Sequence, residues 1–220
     1  MKQIMDGNQA AAYVSYAFSE AASLFPITPS SKMSELTESW SSKGKQNIFG
    51  ESPEILVMNS EANVAGSMHG LLKSGILATT YTSSQGLLLM IPAMYKLAGE
   101  LLPGVFHVAA RSIASSALNI YGDHSDVMAV RQTGVVMISA SSVQETALFA
   151  AVSHVAAIKC RLPVVHFFDG FDTSHDLRKI QVPEYSELAN YVDQGQLDSF
   201  KKGRSNFSPK MSGTTQGEEL

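Results

Sequence analysis

Cysteine is almost missing from this sequence: Cys160 is the only one in 220 residues. A single thiol cannot close an internal disulfide, hold an iron-sulfur cluster or complete a structural zinc site. In its apolar, small-residue helical setting Cys160 is expected to be packed rather than reactive. Charge is scarce as well. Asp, Glu, Lys and Arg make up 16% of the residues and the formal net charge is -4, so no basic stripe is available to neutralise phosphates, which argues against a nucleic-acid partner. A surface so poor in charge points to cover by partner surface. Neither G-x-G-x-x-G nor G-x-x-x-x-G-K-S/T occurs, and no internal repeat is visible. No apolar run reaches membrane-spanning length, and Met1 to Asp6 lacks the blocks of a signal peptide, so no membrane association and a reducing, cytoplasmic setting are expected.

What remains is an apolar chain, 45% by residue count, long enough for one large domain. Short apolar runs alternate with helical patterns. Asp6 is expected to cap an alanine-rich helix through Phe18, and a strand at Leu24 to Ile27 leads to a helix from about Ser30 to Ser42 that Gly44 ends. Ile55 to Met58 reads as a strand buried on both faces, followed by a helix from Ala62 to Leu72 in which Gly66 and Gly70 mark either the close approach of a neighbour or tight helix-sheet packing. Strands are expected at Leu77 to Thr82, Val105 to Ala110, Gly134 to Ile138 and Pro163 to Phe168. Helices are expected at Leu87 to Leu101, Asp126 to Gln132 and Ser142 to Ile158, the last opening on a cap-like Ser142. The pattern predicts an α/β fold: a mostly parallel sheet with helices on both faces, over residues 1–180. Residues 181–220, with few large apolar side chains beyond Asn190, read as a linker or C-terminal tail.

In such sheets ligands sit beyond the carboxyl ends of the strands, where Thr28, Glu61, Ser83 and Arg111 all fall. Pro26 and Pro29 stiffen the segment around Thr28, which is placed either as a plain N-cap with Pro29 in the first helical position, or as a hydroxyl offered to an oxygen ligand at a helix start. Glu61, in the first turn of its helix, either serves the helix dipole or holds and exchanges a proton with a ligand nitrogen. Arg111 is either a surface ion-pair partner or a forked donor for a substrate carboxylate. Asp123-His124-Ser125-Asp126 has the residue types of a metal site or triad, but in so short a segment capping is the expected role. His69, His107, His154, His166 and His175 are scattered, and core or surface roles are expected of them.

Five segments together carry a resemblance: Asp6-Gly7-Asn8-Gln9-Ala10-Ala11, Phe25-Pro26-Ile27-Thr28-Pro29-Ser30-Ser31, Asn59-Ser60-Glu61-Ala62, Tyr81-Thr82-Ser83-Ser84-Gln85-Gly86-Leu87, and Ala110-Arg111 through Gly122-Asp123-His124-Ser125-Asp126. In this order, over roughly residues 3–200, the chain resembles the amino-terminal domain of pyruvate:ferredoxin (flavodoxin) oxidoreductases. The resemblance implies a pyrimidine-binding domain for thiamine diphosphate, in an enzyme that decarboxylates pyruvate oxidatively, forms acetyl-CoA and passes electrons to ferredoxin or flavodoxin. It implies that Glu61 bonds the aminopyrimidine ring, that Thr28 contacts the oxygens of pyruvate and that Arg111 pairs with its carboxylate. The family's diphosphate- and magnesium-binding domain and its cysteine-rich cluster domains are not in this sequence. Magnesium and iron-sulfur clusters are therefore expected on other domains or subunits of a larger, dimeric parent enzyme, the isolated chain being inactive. The other reading is a non-catalytic stand-alone binding module or truncated product that keeps the fold.

Overall fold

A computed structural model describes residues 1–202. Chain order runs β1 (Lys2–Met5), α1 (Gly7–Phe18), β2 (Ala21–Leu24), α2 (Ser31–Ser42), β3 (Glu54–Val57), α3 (Glu61–Lys73), β4 (Ala78–Thr82), α4 (Ser84–Leu89) and α5 (Ile91–Gly99). It continues through β5 (Val105–Ala110), α6 (Ser125–Ala129), β6 (Val136–Ala140), α7 (Val143–Cys160), β7 (Val164–Asp169), β8 (Arg178–Gln181), α8 (Tyr185–Ala189) and α9 (Gln194–Lys202). Six strands form one sheet in the order β3-β2-β4-β5-β7-β6, every pairing parallel. β1 and β8, neither of them foreseen in the sequence, pair antiparallel apart from it.

Alternation along the central strands builds a core on each face. In β5, Phe106, Val108 and Ala110 face a cluster with Val64, Met68 and Leu72 of α3, Leu87 of α4 and Met94 of α5. Ala109 faces the other way, onto Ala11 and Ala12 of α1, with Tyr81 and Phe168 from β4 and β7. The alanines of α1 explain its placement: Ala10, Ala11, Ala12 and Ala17 are fully buried, and their small side chains let the helix lie close to both the sheet and α7. Asp6 caps it as expected, in a reciprocal capping box with Gln9.

Several elements depart from the sequence reading. β3 is an edge strand rather than one buried on both faces, and its Val57 is 61% exposed. The expected helix from Leu87 to Leu101 is two helices that meet at Met90, just ahead of Pro92, which cannot donate into a continuous ladder. Gly66 and Gly70 have open space where a Cβ would stand, so neither marks a close approach. Cys160 is exposed in the last turn of α7 rather than packed.

The expected linker also takes structure. Val182 and Leu188 are buried against α1 and α7, and Leu197 and Phe200 of α9 join the core beneath α3 and α5. Lys45 forms a clasp between these pieces, its ammonium lying 4.1–5.3 Å from the ring centroids of Tyr13, Tyr16, Trp40 and Tyr185. The part of the expected tail from 203 to 220 lies outside the described residues.

Candidate functional site

Thr28, Glu61, Ser83 and Arg111 follow β2, β3, β4 and β5, which are contiguous in the sheet, so all four stand along one stretch of its carboxyl rim. The sheet brings two of them into contact. Arg111 is 6% exposed and donates from Nη1 to the carbonyl oxygen of Thr28 at 2.7 Å and from Nη2 to Oε1 of Gln85 at 3.2 Å. Burial pulls the guanidinium below its ordinary pKa, while the charge of Asp126 acts the other way. Nε of Arg111 is buried and has no partner among the described residues.

Thr28 is not the N-cap that its sequence suggested. The chain turns first, with the amide and hydroxyl of Ser30 both donating to the carbonyl of Ile27, so that α2 begins only at Ser31 with Ser30 before it. The Thr28-Pro29 peptide is cis. With Ser30 in the cap position Thr28 has no capping role and is exposed, while Pro29 is buried and its carbonyl accepts from Nδ2 of Asn8 at 2.8 Å.

Glu61 opens α3 behind the cap of Ser60, whose hydroxyl accepts from the amide of Asn63. It is 7% exposed, and no hydrogen bond among the described residues engages its carboxylate. Its side chain lies against the first turn of α4: a Cβ on Gly86 would stand 2.8 Å from Glu61 Oε1 and 2.6 Å from Thr82 Oγ1. Only glycine fits beside the carboxylate there. Gln85 and Gly86 therefore bridge the site, one touching Arg111 and the next lying against Glu61. The hydroxyls of Thr82 and Ser83 are buried on this rim without a partner among the described residues.

Two residues here were not assigned to the site from sequence. Gln85 stands in the sequence only as part of a segment that carries the family resemblance, with no role attached. Asp126 was read as a cap, yet its fully buried carboxylate accepts from the distant amides of Ser84 at 2.8 Å and Arg111 at 3.0 Å, besides that of Val127 at 2.7 Å. Nothing in the local sequence signals those bonds, which exist only because β4 and β5 are neighbours. Its short-segment companions do not converge with it: Asp123 accepts from the amide and hydroxyl of Ser125, and the His124 ring meets Phe167 edge-on.

The histidines, in contrast, are not all scattered. His107, His154 and His166 meet in the core, with His107 Nδ1 2.9 Å from His166 Nδ1 and His107 Nε2 3.1 Å from His154 Nε2. Among the described residues no cluster is arranged to hold a metal ion. No described helix is long and apolar enough to cross a membrane.

The fold is shared with a 2-oxoglutarate:ferredoxin oxidoreductase from Magnetococcus marinus, at a TM-score of 0.73 and 20% identity over 84% of this chain and 32% of that one. Closer in sequence are a pyruvate-flavodoxin oxidoreductase of Klebsiella pneumoniae, 55% identical over 98% of this chain, and a pyruvate:ferredoxin oxidoreductase of Moorella thermoacetica, 54% identical over all of it. The chain spans 18% and 19% of the length of those two relatives. A family model described as pyruvate flavodoxin/ferredoxin oxidoreductase, thiamine diphosphate-binding, matches residues 13–219, and the chain belongs to that family.

Proposed function

We propose that this chain supplies half of a thiamine diphosphate and pyruvate site in an enzyme that decarboxylates pyruvate oxidatively to acetyl-CoA and passes electrons to ferredoxin or flavodoxin. The observation that carries the reading is the bridge of Gln85 and Gly86 between a forked cation and a buried carboxylate on one rim of the sheet.

The residues present fit the pyrimidine half of the cofactor. A buried carboxylate without a partner among the described residues suits a ring nitrogen that shares or gives up a proton, and the Gly86 cradle keeps its position open. When bound, thiamine diphosphate supplies the carbanion-stabilising chemistry that a 2-oxoacid needs to lose its carboxyl group. Glu61 holds the proton at the pyrimidine edge. Arg111 has five N-H donors, of which those to Thr28 and Gln85 orient the plane. The rest, Nε-H among them, remain for the carboxylate of the substrate. The exposed Thr28 hydroxyl stands at the same end and contacts a substrate oxygen. Burial around Arg111 excludes water and strengthens the pairing.

The diphosphate, magnesium and iron-sulfur clusters belong in this proposal to other domains or subunits of a dimeric assembly located in the cytoplasm. Work inside a larger assembly is supported by α7, whose outward Leu148 and Val152 are 53% and 44% exposed beside Tyr191, along an apolar groove of about 690 Å³. The test is pyruvate-dependent dye reduction by the assembled enzyme. Arg111→Ala and Glu61→Gln are each expected to cut the rate at least tenfold, the cost of one lost charge-assisted contact in the transition state. Undiminished activity in both would leave the non-catalytic module as the reading.

A further inference from the structure

We infer that Asp126 is the positioning residue of this site: its carboxylate sets where Arg111 stands and so where the carboxylate of a 2-oxoacid is held. The inference rests on the proposed role of Arg111.

Burying a carboxylate is costly unless it is well bonded, and Asp126 is fully buried. No ion pair to a lysine or arginine side chain compensates it among the described residues, and the Arg111 guanidinium points instead to Thr28 and Gln85. Its partners are main-chain amides from separate places. Oδ2 takes both the amide of Ser84, at the start of α4, and that of Arg111, at the end of β5, while Oδ1 takes Val127. Burial, with a smaller push from Asp123, holds the pKa of the carboxyl above its ordinary value, and the three amides offset this only in part.

These bonds close a circuit. Ser84 adopts φ +48°, a left-handed conformation unusual for a residue other than glycine, and from there its amide reaches Asp126. Its hydroxyl lies 2.7 Å from the carbonyl of Ser112 and 2.6 Å from Oε1 of Gln85. Gln85 then accepts from Nη2 of Arg111, whose own amide returns to Asp126. One carboxylate thus fixes the backbone of Arg111 and, through Ser84, the side chain that aims its guanidinium. Without it the two loops could keep their strands but lose their mutual register, and a substrate-positioning group is sensitive to displacements of about 1 Å.

The experiment compares Asp126→Ala, Asp126→Asn and Arg111→Ala in the assembled enzyme by steady-state pyruvate kinetics, thiamine diphosphate affinity and thermal melting. Asp126→Ala is expected to raise the KM for pyruvate about tenfold while kcat falls less and cofactor affinity holds, tenfold being about 1.4 kcal/mol of binding. Asp126→Asn keeps one oxygen for Ser84 and Arg111 but turns an N-H toward Val127, and a rise of about threefold is expected. An unchanged KM in the folded Asp126 variants while Arg111→Ala raises it, whether or not their melting temperature falls, overturns the inference. Should Asp126→Ala fail to fold, the KM of Asp126→Asn decides alone. If Arg111→Ala also leaves KM unchanged, the fault lies in the proposed site rather than in the positioning by Asp126.

Discussion

The guanidinium of Arg111 is anchored to the backbone of Thr28, 83 positions earlier in the chain, by a 2.7 Å hydrogen bond from Nη1 to the Thr28 carbonyl. The contact ties the end of β5 to the turn after β2 across the intervening β4. It also holds the planar fork in one orientation, with Gln85 on the other Nη. Lysine could satisfy one of these acceptors but not both at once with a substrate carboxylate. Arg111→Lys is therefore expected to retain the fold, seen as an unchanged circular dichroism spectrum, and to raise the KM for pyruvate between tenfold and a hundredfold. A KM within twofold of the parent would remove the forked geometry from the account.

Gly86 offers a test of Glu61 that leaves the carboxylate in place. A methyl group there would stand 2.6 Å from Thr82 Oγ1 and 2.8 Å from Glu61 Oε1, closer than real side chains approach, so both the buried threonine and the glutamate must give way. Gly86→Ala is expected to lower the affinity for thiamine diphosphate and the rate of pyruvate oxidation together. Some stability is lost as well, because alanine raises helix propensity within α4 by about 1 kcal/mol and so offsets only part of the clash. Titration calorimetry with the cofactor checks it, and parent-like affinity would mean that Glu61 has room the close packing does not suggest.

Much of this arrangement was legible in the sequence, and the parts that were not share a cause. The strands β4, β5 and β7 are apolar runs between turn residues, and the alternation with helices fixed the parallel sheet and so the rim on which Thr28, Glu61, Ser83 and Arg111 stand. Local chemistry read well where it was truly local, as in the Asp6 box and the Ser142 cap, whose hydroxyl accepts from the amide of Glu145. It failed where a distant element decides. β3 has the composition of a central strand but lies at the edge, Asp126 looks like a cap but serves two remote amides, and the three core histidines meet only because β5, β7 and α7 pack together.

The end of the domain is another such case, with a measurable consequence. Residues 190–202 look polar in sequence, yet Phe200 is fully buried and stacks under the Arg161 guanidinium at 5.0 Å. Phe200→Ala is expected to destabilise the chain by about 3–5 kcal/mol, the usual cost of an emptied aromatic site. Urea unfolding measures it. A cost below about 1 kcal/mol, typical of an exposed position, would return this segment to the status of a tail.

The three imidazoles make stability depend on pH. His154 stacks on Phe18, and burial pulls both His154 and His166 from their ordinary 6.5 down to about 3 and His107 well below its ordinary value, its two neighbours adding to the effect. The folded chain therefore keeps all three neutral where the unfolded chain takes up protons. Stability is full above about pH 6.5 and falls as the pH drops from there toward 3, by ~1.4 kcal/mol per pH unit for each imidazole. The network also fixes the tautomers. Nε2 of His166 is buried without a partner among the described residues, and an orphaned acceptor costs less than an orphaned N-H, so the His166 proton sits on Nδ1 and is donated to His107. His107 then donates from Nε2 to His154. His166→Leu leaves His107 with an unpaired acceptor rather than an unpaired donor, which makes it the mildest way to remove one member. Urea unfolding between pH 4.5 and 8 should show the variant less stable than the parent at the alkaline end. Its pH slope below 6 should be shallower by ~1.4 kcal/mol per unit. An unchanged slope would mean that His166 is already protonated in the folded chain, and the neutral relay would have to be abandoned.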